Sequence, residues 1–202
     1  MESYFNEEDY IKEEVIIDIT KANIFALPVV ALLVIVFGIP YYLLWHERAL
    51  DGIRNFGFSG ILFRYLFFFI TLIVGIVLHE LIHGVFFAIF TKHKFKSIKF
   101  GFMPASKLFT PYCHCKEPLK INQYRICGIM PLIILGIIPA IISLFTGNLF
   151  LFCIGIFFTA AAAGDVLIIQ KTLKEEKDSL LFDHPSEAGY YIYRLKNKES
   201  NT

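Results

Sequence analysis

Ile61–Phe90 reads ILFRYLFFFITLIVGIVLHELIHGVFFAIF, and beyond Arg64 and Tyr65 its only histidine or charged side chains are His79, Glu80 and His83. About 20 residues of apolar helix cross the hydrocarbon of a bilayer, and this stretch is long enough. Three others qualify: Ile24–Trp45, Ile126–Thr146 and Leu149–Gln170. The last two are separated only by Gly147 and Asn148, which predicts a tight helical hairpin, and across Ile126–Gln170 the sole acidic or basic residue is Asp165. The expected fold is an all-α membrane protein of about four transmembrane helices, with a small cytosolic β-hairpin or sheet between spans two and three and in the C-terminal tail.

Composition points the same way. Of 202 residues, 56% are apolar and 18% charged, and the mean hydropathy is +0.59, against roughly 45–50% and about 25% in a typical globular chain. A net charge of +1 gives no basic excess for nucleic acid. The 22 Phe and 10 Tyr are too much apolar surface for a disordered chain. Four Cys, two of them in apolar runs, do not make a disulfide scaffold. The first span lies too far from Met1, behind too acidic a leader, for a secretory signal peptide.

Lysine and arginine set the orientation. Thr91–Arg125 carries eight of them against the single acid Glu117, the tail after Gln170 carries six, and the Gly147–Asn148 turn none. Both termini and the basic loop are therefore expected in the cytosol, in the cell (plasma) membrane as the expected location. Three regions follow: an N-terminal cytosolic or interfacial segment, 1–23; a four-helix core, 24–170, with its cytosolic loop at 91–125; and a cytosolic tail, 171–202. Cys113 and Cys115 should be reduced thiols.

His79-Glu80-Leu81-Ile82-His83 carries the chemistry. Histidines four apart share one helix face and can offer two imidazole nitrogens to one metal ion. Glu80 lies about 100° round the same turn, where a carboxylate can take a proton from a metal-activated water. Zinc is the expected ion, one per chain, because two histidines and a carboxylate leave a fourth position open. The pattern arises by chance roughly 0.01 times in a chain of this composition. Three ionisable groups within an apolar span each cost about 2.5–3.5 kcal/mol of insertion energy, so function is the default reading and a hydrogen-bonded structural cluster the alternative.

A catalytic zinc needs a third protein ligand. Ile89 stands six residues after His83, where a third histidine would be placed in the extended motif, so Asp165 is the candidate. His83 and Asp165 lie about 13 and 9 Å from the cytosolic boundary at 1.5 Å per helical residue, a match within one turn. The alternative is a buried acid paired with Arg125 or a lysine. The small-residue run Ala160–Gly164 permits close helix approach but equally serves as a packing face.

HELIHG within an apolar span, the basic loop, Gly164-Asp165 in the last span and the Asp183-His184-Pro185…Gly189-Tyr190 tail resemble the putative zincin peptidase family. These are integral-membrane proteins related to site-2 intramembrane metalloproteases, and the resemblance runs from about Leu50 to Arg194. It implies a zinc-dependent endopeptidase cutting a membrane-embedded or membrane-associated protein substrate within or beside the bilayer, with His79, His83 and Asp165 as ligands and Glu80 as general base. The acid here stands in Gly164-Asp165-Val166, without the Asn-Pro and Asp-Gly context of site-2 proteases. A transporter or sensor using the same ligands, and a catalytically silent scaffold, are the competing readings.

Two β-prone runs, Lys96–Phe102 and Leu108–His114, flank a Met103–Lys107 turn and predict a hairpin. Its edge, Lys96, Ile98, Phe100 and Phe102, is a candidate to hold an extended substrate; alternatively the hairpin caps the site or lies on lipid headgroups. His93, His114 and Lys92 are oxyanion candidates by nearness in sequence alone. Cys113-His114-Cys115 lacks zinc-finger spacing. In the tail, Lys171–Asp178 is expected to extend the fourth helix, Asp183-His184-Pro185 to turn, and Tyr190–Tyr193 to form a strand pairing with the hairpin or with Val15–Ile19.

Overall fold

The computed structural model of the chain describes residues 7–54, 58–103, 110–185, 187 and 189–196. The hairpin turn expected within Met103–Lys107 falls almost wholly outside them. Among the described residues, seven helices carry most of the chain: α1 (Ile19–Leu33), α2 (Ile39–Arg54), α3 (Phe58–Phe90), α4 (Ile121–Pro131), α5 (Ile138–Thr146), α6 (Leu149–Ala161) and α7 (Ala163–Thr172). Two wide π-turns, Val34–Gly38 and Leu132–Ile137, join α1 to α2 and α4 to α5 without a break in direction. Each is followed within two residues by a proline, Pro40 or Pro139, which has no N–H for the regular i−4 bond, so the preceding turn widens.

Among the described residues, three helices are long and apolar enough to cross a bilayer, Leu27–Asp51, Ser59–Phe90 and Ile121–Thr146. A fourth is reached only if α6 and α7, bent by 42° at Ala162, count as one span. The expectation of a continuous Leu149–Gln170 helix is thus corrected. Around the break, Ala160–Gly164 has no bulky side chain to resist bending. Large apolar residues such as Leu62, Phe63, Phe69 and Val77 are exposed along α3, far more than a water-facing helix tolerates.

Between α5 and α6, Gly147 takes the left-handed conformation (φ 65°) that glycine adopts without steric cost. Asn148 caps α6 by accepting from the Leu151 N–H at 3.1 Å. Tyr41 Oη donates to the Gly147 carbonyl at 3.0 Å and Trp45 Nε1 to that of Leu144 at 2.9 Å, so α2 holds this hairpin.

At the other end lie two small antiparallel sheets. One pairs β2 (Ile98–Met103) with β3 (Thr110–Cys115). The other runs in the order β1 (Tyr10–Ile16), β6 (Gly189–Leu195), β5 (Leu180–Asp183), β4 (Leu119–Lys120). The Tyr190–Tyr193 run therefore pairs with the N-terminal strand, Val15 opposite Tyr190, and not with the hairpin. The partner run begins at Tyr10 and stops at Ile16, earlier than Val15–Ile19 suggested. Arg194 ties the sheet to the α7 exit through Glu175 (2.8 Å) and Glu13.

Two further expectations are corrected here. The third apolar helix begins at Ile121, not Ile126, because β4 runs straight into it; Arg125 lies inside it and binds the Thr172 hydroxyl at 3.0 Å and the Thr172 carbonyl. The charged run Lys171–Asp178 does not prolong the fourth helix: α7 ends at Thr172 and the chain turns into β5, where Leu181, fully buried, joins Ile121, Ile192 and Tyr190 in the core.

Candidate metal centre

Three close glycine contacts fix the α6–α7 pair against its neighbours, the first of them against α3. The Phe158 ring of α6 fills the notch over Gly75, where even a methyl group would stand 2.1 Å from its Cζ. Gly155 crosses α5 against the Ala140 backbone, 2.5 Å from where a Cβ would lie. Gly128 of α4 receives the Ile169 side chain of α7. Gly164, by contrast, has nothing within 4 Å of a would-be Cβ, so the close approach comes from these glycines and not from the one beside Asp165. The bend at Ala162 then points the first turn of α7 at α3.

His79, His83 and Asp165 converge there. His79 Nε2 lies 3.1 Å from Asp165 Oδ2 and His83 Nε2 3.5 Å from Oδ1. Around a tetrahedral zinc with bonds of about 2.0–2.1 Å, neighbouring ligand atoms stand about 3.3 Å apart, and the two gaps bracket that value. The side chains are 12, 10 and 23% exposed in the same order. Among the described residues this is the one group of three or more such side chains able to hold a metal ion. Two imidazoles and one carboxylate form the donor set of a zinc site with one position left open.

The ring of His83 is held from behind: its Nδ1–H donates to the Cys127 carbonyl of α4 at 2.9 Å. That bond selects the tautomer whose Nε2 lone pair faces the site. Glu80 sits among His79, His83 and Asp165, and the Cys113 main-chain N–H of β3 donates to its carboxylate. Arg125, the alternative partner for Asp165, bonds Thr172 and Asn122 instead.

The hairpin lies over the same end of α3. The Phe100 ring covers Gly84, 2.4 Å from a would-be Cβ. Of the four candidate edge residues, Lys96 lies in a 3-10 turn ahead of the strand, Ile98 is buried in the core, and Phe100 and Phe102 are exposed. The strand nearest the cluster is β3. Its N–H groups facing away from β2 are committed, Cys113 to Glu80 and Cys115 to Asp183 Oδ2 at 2.7 Å, and Pro111 has none to offer. Among the described residues, no strand pairs with the other edge of β2.

None of the oxyanion candidates is presented to the site. His93 Nδ1 is 2.7 Å from Glu117 on the exposed surface, and Lys92 is exposed with its N–H bonded to the same acid. Burial opposes charge on Glu117, but bonds from Ser97, His93 and the Lys92 and His93 N–H groups outweigh it and hold its carboxyl at about 2. His114 packs edge-on against Phe182. Burial pushes the Cys115 thiol up to about 12 and that of Cys113 above the usual range, so neither is a ready metal ligand.

Asp183 is the functional candidate that sequence reading assigned only to a turn. It is buried, with Oδ1 accepting from Tyr124 Oη at 2.6 Å and Oδ2 from the Cys115 N–H. Its neighbour His184 bonds Glu14 at 2.7 Å and accepts from the Glu187 N–H, which is turn chemistry as expected. Main-chain roles, the Cys127 carbonyl and the Cys113 N–H, carry no side-chain signature in the sequence.

Comparison with known families places residues 72–180, just over half of the chain, on the family model described as "Putative zincin peptidase". No curated protein and no solved structure matches the chain.

Proposed function

This chain belongs to that zincin peptidase family, and from that premise we propose that it is a membrane-embedded zinc endopeptidase cleaving a peptide bond of a membrane-associated protein. The observation that carries the reading is the spacing of His79, His83 and Asp165, 3.1 and 3.5 Å between ligand atoms on two separate helices, with Glu80 beside them. His79 Nε2, His83 Nε2 and the Asp165 carboxylate would hold one zinc ion. A zinc ion held there would lower the pKa of a water toward about 7 and polarise a carbonyl.

Glu80 accepts the proton of the attacking water and returns it to the leaving amide nitrogen. The Cys113 N–H fixes the orientation of its carboxylate from one side. The apolar flanks of α3 limit water to what the site admits. An extended substrate segment pairs along the open edge of β2, with Phe100 and Phe102 as its apolar contacts. Counted as four spans, with α6 and α7 together as the last, the apolar helices cross the cell membrane with both termini and the Lys-rich 91–120 region in the cytosol, following the positive-inside rule.

Glu80→Gln tests this reading. Protein purified in detergent and returned to vesicles should bind one zinc per chain in wild type and variant alike. Cleavage of a co-reconstituted single-span peptide should fall 10²–10⁴-fold in Glu80→Gln, the usual contribution of a general base. Wild type that holds no zinc, or a variant that cleaves as fast as wild type, would refute it.

A further inference from the structure

Asp183 joins two arms of the candidate site by hydrogen bonds. One arm runs through Tyr124: its hydroxyl donates to Asp183 Oδ1 at 2.6 Å, and one turn further along α4 the Cys127 carbonyl accepts from His83 at 2.9 Å. Residues three apart share a helix face, so anchoring Tyr124 sets the rotation that presents that carbonyl. The other arm runs through β3: the Cys115 N–H donates to Oδ2 at 2.7 Å, and two residues earlier the Cys113 N–H meets Glu80. The carboxylate sits at the end of β5, held between β4 and β6, and it is buried. The Tyr124 ring packs on Phe87, whose own ring lies over His83.

We propose that Asp183 is a positioning residue of the metal centre, holding α4 and β3 at the spacing that orients His83 through the Cys127 carbonyl and Glu80 through the Cys113 N–H. The inference rests on the zinc reading above, and zinc affinity separates the two: wild type that fails to bind zinc sinks that reading, whereas the comparison among variants decides this one. Losing an outer partner of a metal-bound histidine costs about 10–100-fold in metal affinity.

Full-length protein in detergent is titrated with zinc against a chromophoric chelator, and the cobalt form is examined by its visible d–d absorption. Asp183→Ala, which frees both arms, is expected to weaken zinc 10–100-fold and to shift the cobalt spectrum. Asp183→Asn keeps an oxygen for the Cys115 N–H and an NH₂ group facing the Tyr124 oxygen, so it should recover part of that loss. Ile192→Val trims the same core but removes neither Asp183 hydrogen bond, and should lower thermal stability while leaving affinity and spectrum alone. If Asp183→Ala is too unstable to purify, Tyr124→Phe breaks the α4 arm only and should weaken zinc at least several-fold. Unchanged affinity and spectrum in the Asp183 or Tyr124 variants, or an equal loss in Ile192→Val, would overturn the proposal.

Discussion

Gly75→Ala is the sharpest probe of how the two halves of the site are brought together. Gly75 lies one helical turn before His79 on the same face of α3, and the Phe158 ring occupies its notch. An added Cβ would stand 2.1, 2.5 and 3.2 Å from Cζ, Cε2 and Cε1 of that ring. Phe158 is only 1% exposed, so the ring has no open space to swing into, and α3 and α6 must part by roughly 1.5 Å to restore ordinary contact. Overpacking of this kind costs about 1–3 kcal/mol, here about 2–3 because the ring cannot move aside, and the helix-propensity gain of Ala over Gly returns about 1, leaving a net loss of about 1–2. The displacement separates α3, which carries His79, from the helix pair that carries Asp165, and a zinc site tolerates only about ±0.2 Å, so zinc affinity should fall with stability. Unfolding midpoints in detergent and zinc titration measure both quantities. The decisive control is Phe158→Leu, which shortens the intruding side chain: in the Gly75→Ala background it should recover part of both losses, a coupling of the kind a double-mutant cycle isolates. A Gly75→Ala protein as stable as wild type, or strictly additive effects with Phe158→Leu, would refute the reasoning.

Other substitutions follow from the same packing. Gly155→Ala should destabilise by about 1–3 kcal/mol in the same unfolding assay, because it meets the Ala140 backbone at 2.5 Å and main chain cannot rotate away. Gly164→Ala, with nothing within 4 Å, should be neutral or stabilise by up to about 1 kcal/mol. Glu117 supplies a pH dependence: its carboxyl is held at about 2, below its unfolded value near about 4.3. Its contribution is therefore fully present above about pH 4.3 and is lost as the pH falls toward 2. With its side chain 23% exposed, about 1–2 kcal/mol is expected after allowance for solvent screening. The stability difference between wild type and Glu117→Gln should close over that window in a pH series of thermal melts, and a constant difference from pH 6 to 3 would refute the assignment.

Much was legible in the sequence because the responsible physics is local. The apolar lengths of the helices, the Gly147-Asn148 turn and the spacing of His79, Glu80 and His83 all follow from helical period and side-chain chemistry within a few residues. Asp165 could be singled out because one acid in a long apolar run must have a reason to be there. What stayed hidden depends on contacts distant in the chain. The 42° bend at Ala162 has no proline to announce it, and it is the bend that turns Asp165 toward α3. Gly75, Gly155 and Gly128 look like ordinary glycines until the helix each one meets is known, while Gly164, the one that drew attention beside Asp165, meets nothing.

The sequence by itself determined which residues can act, two imidazoles and two carboxylates in an apolar setting, because ligand chemistry belongs to side chains. Only the tertiary structure decided how they are aimed. The Cys127 carbonyl behind His83, the Cys113 N–H on Glu80 and the two donors gathered by Asp183 are main-chain or long-range partners. A hydrogen bond to a backbone group depends on where the chain passes and not on which residue it carries there.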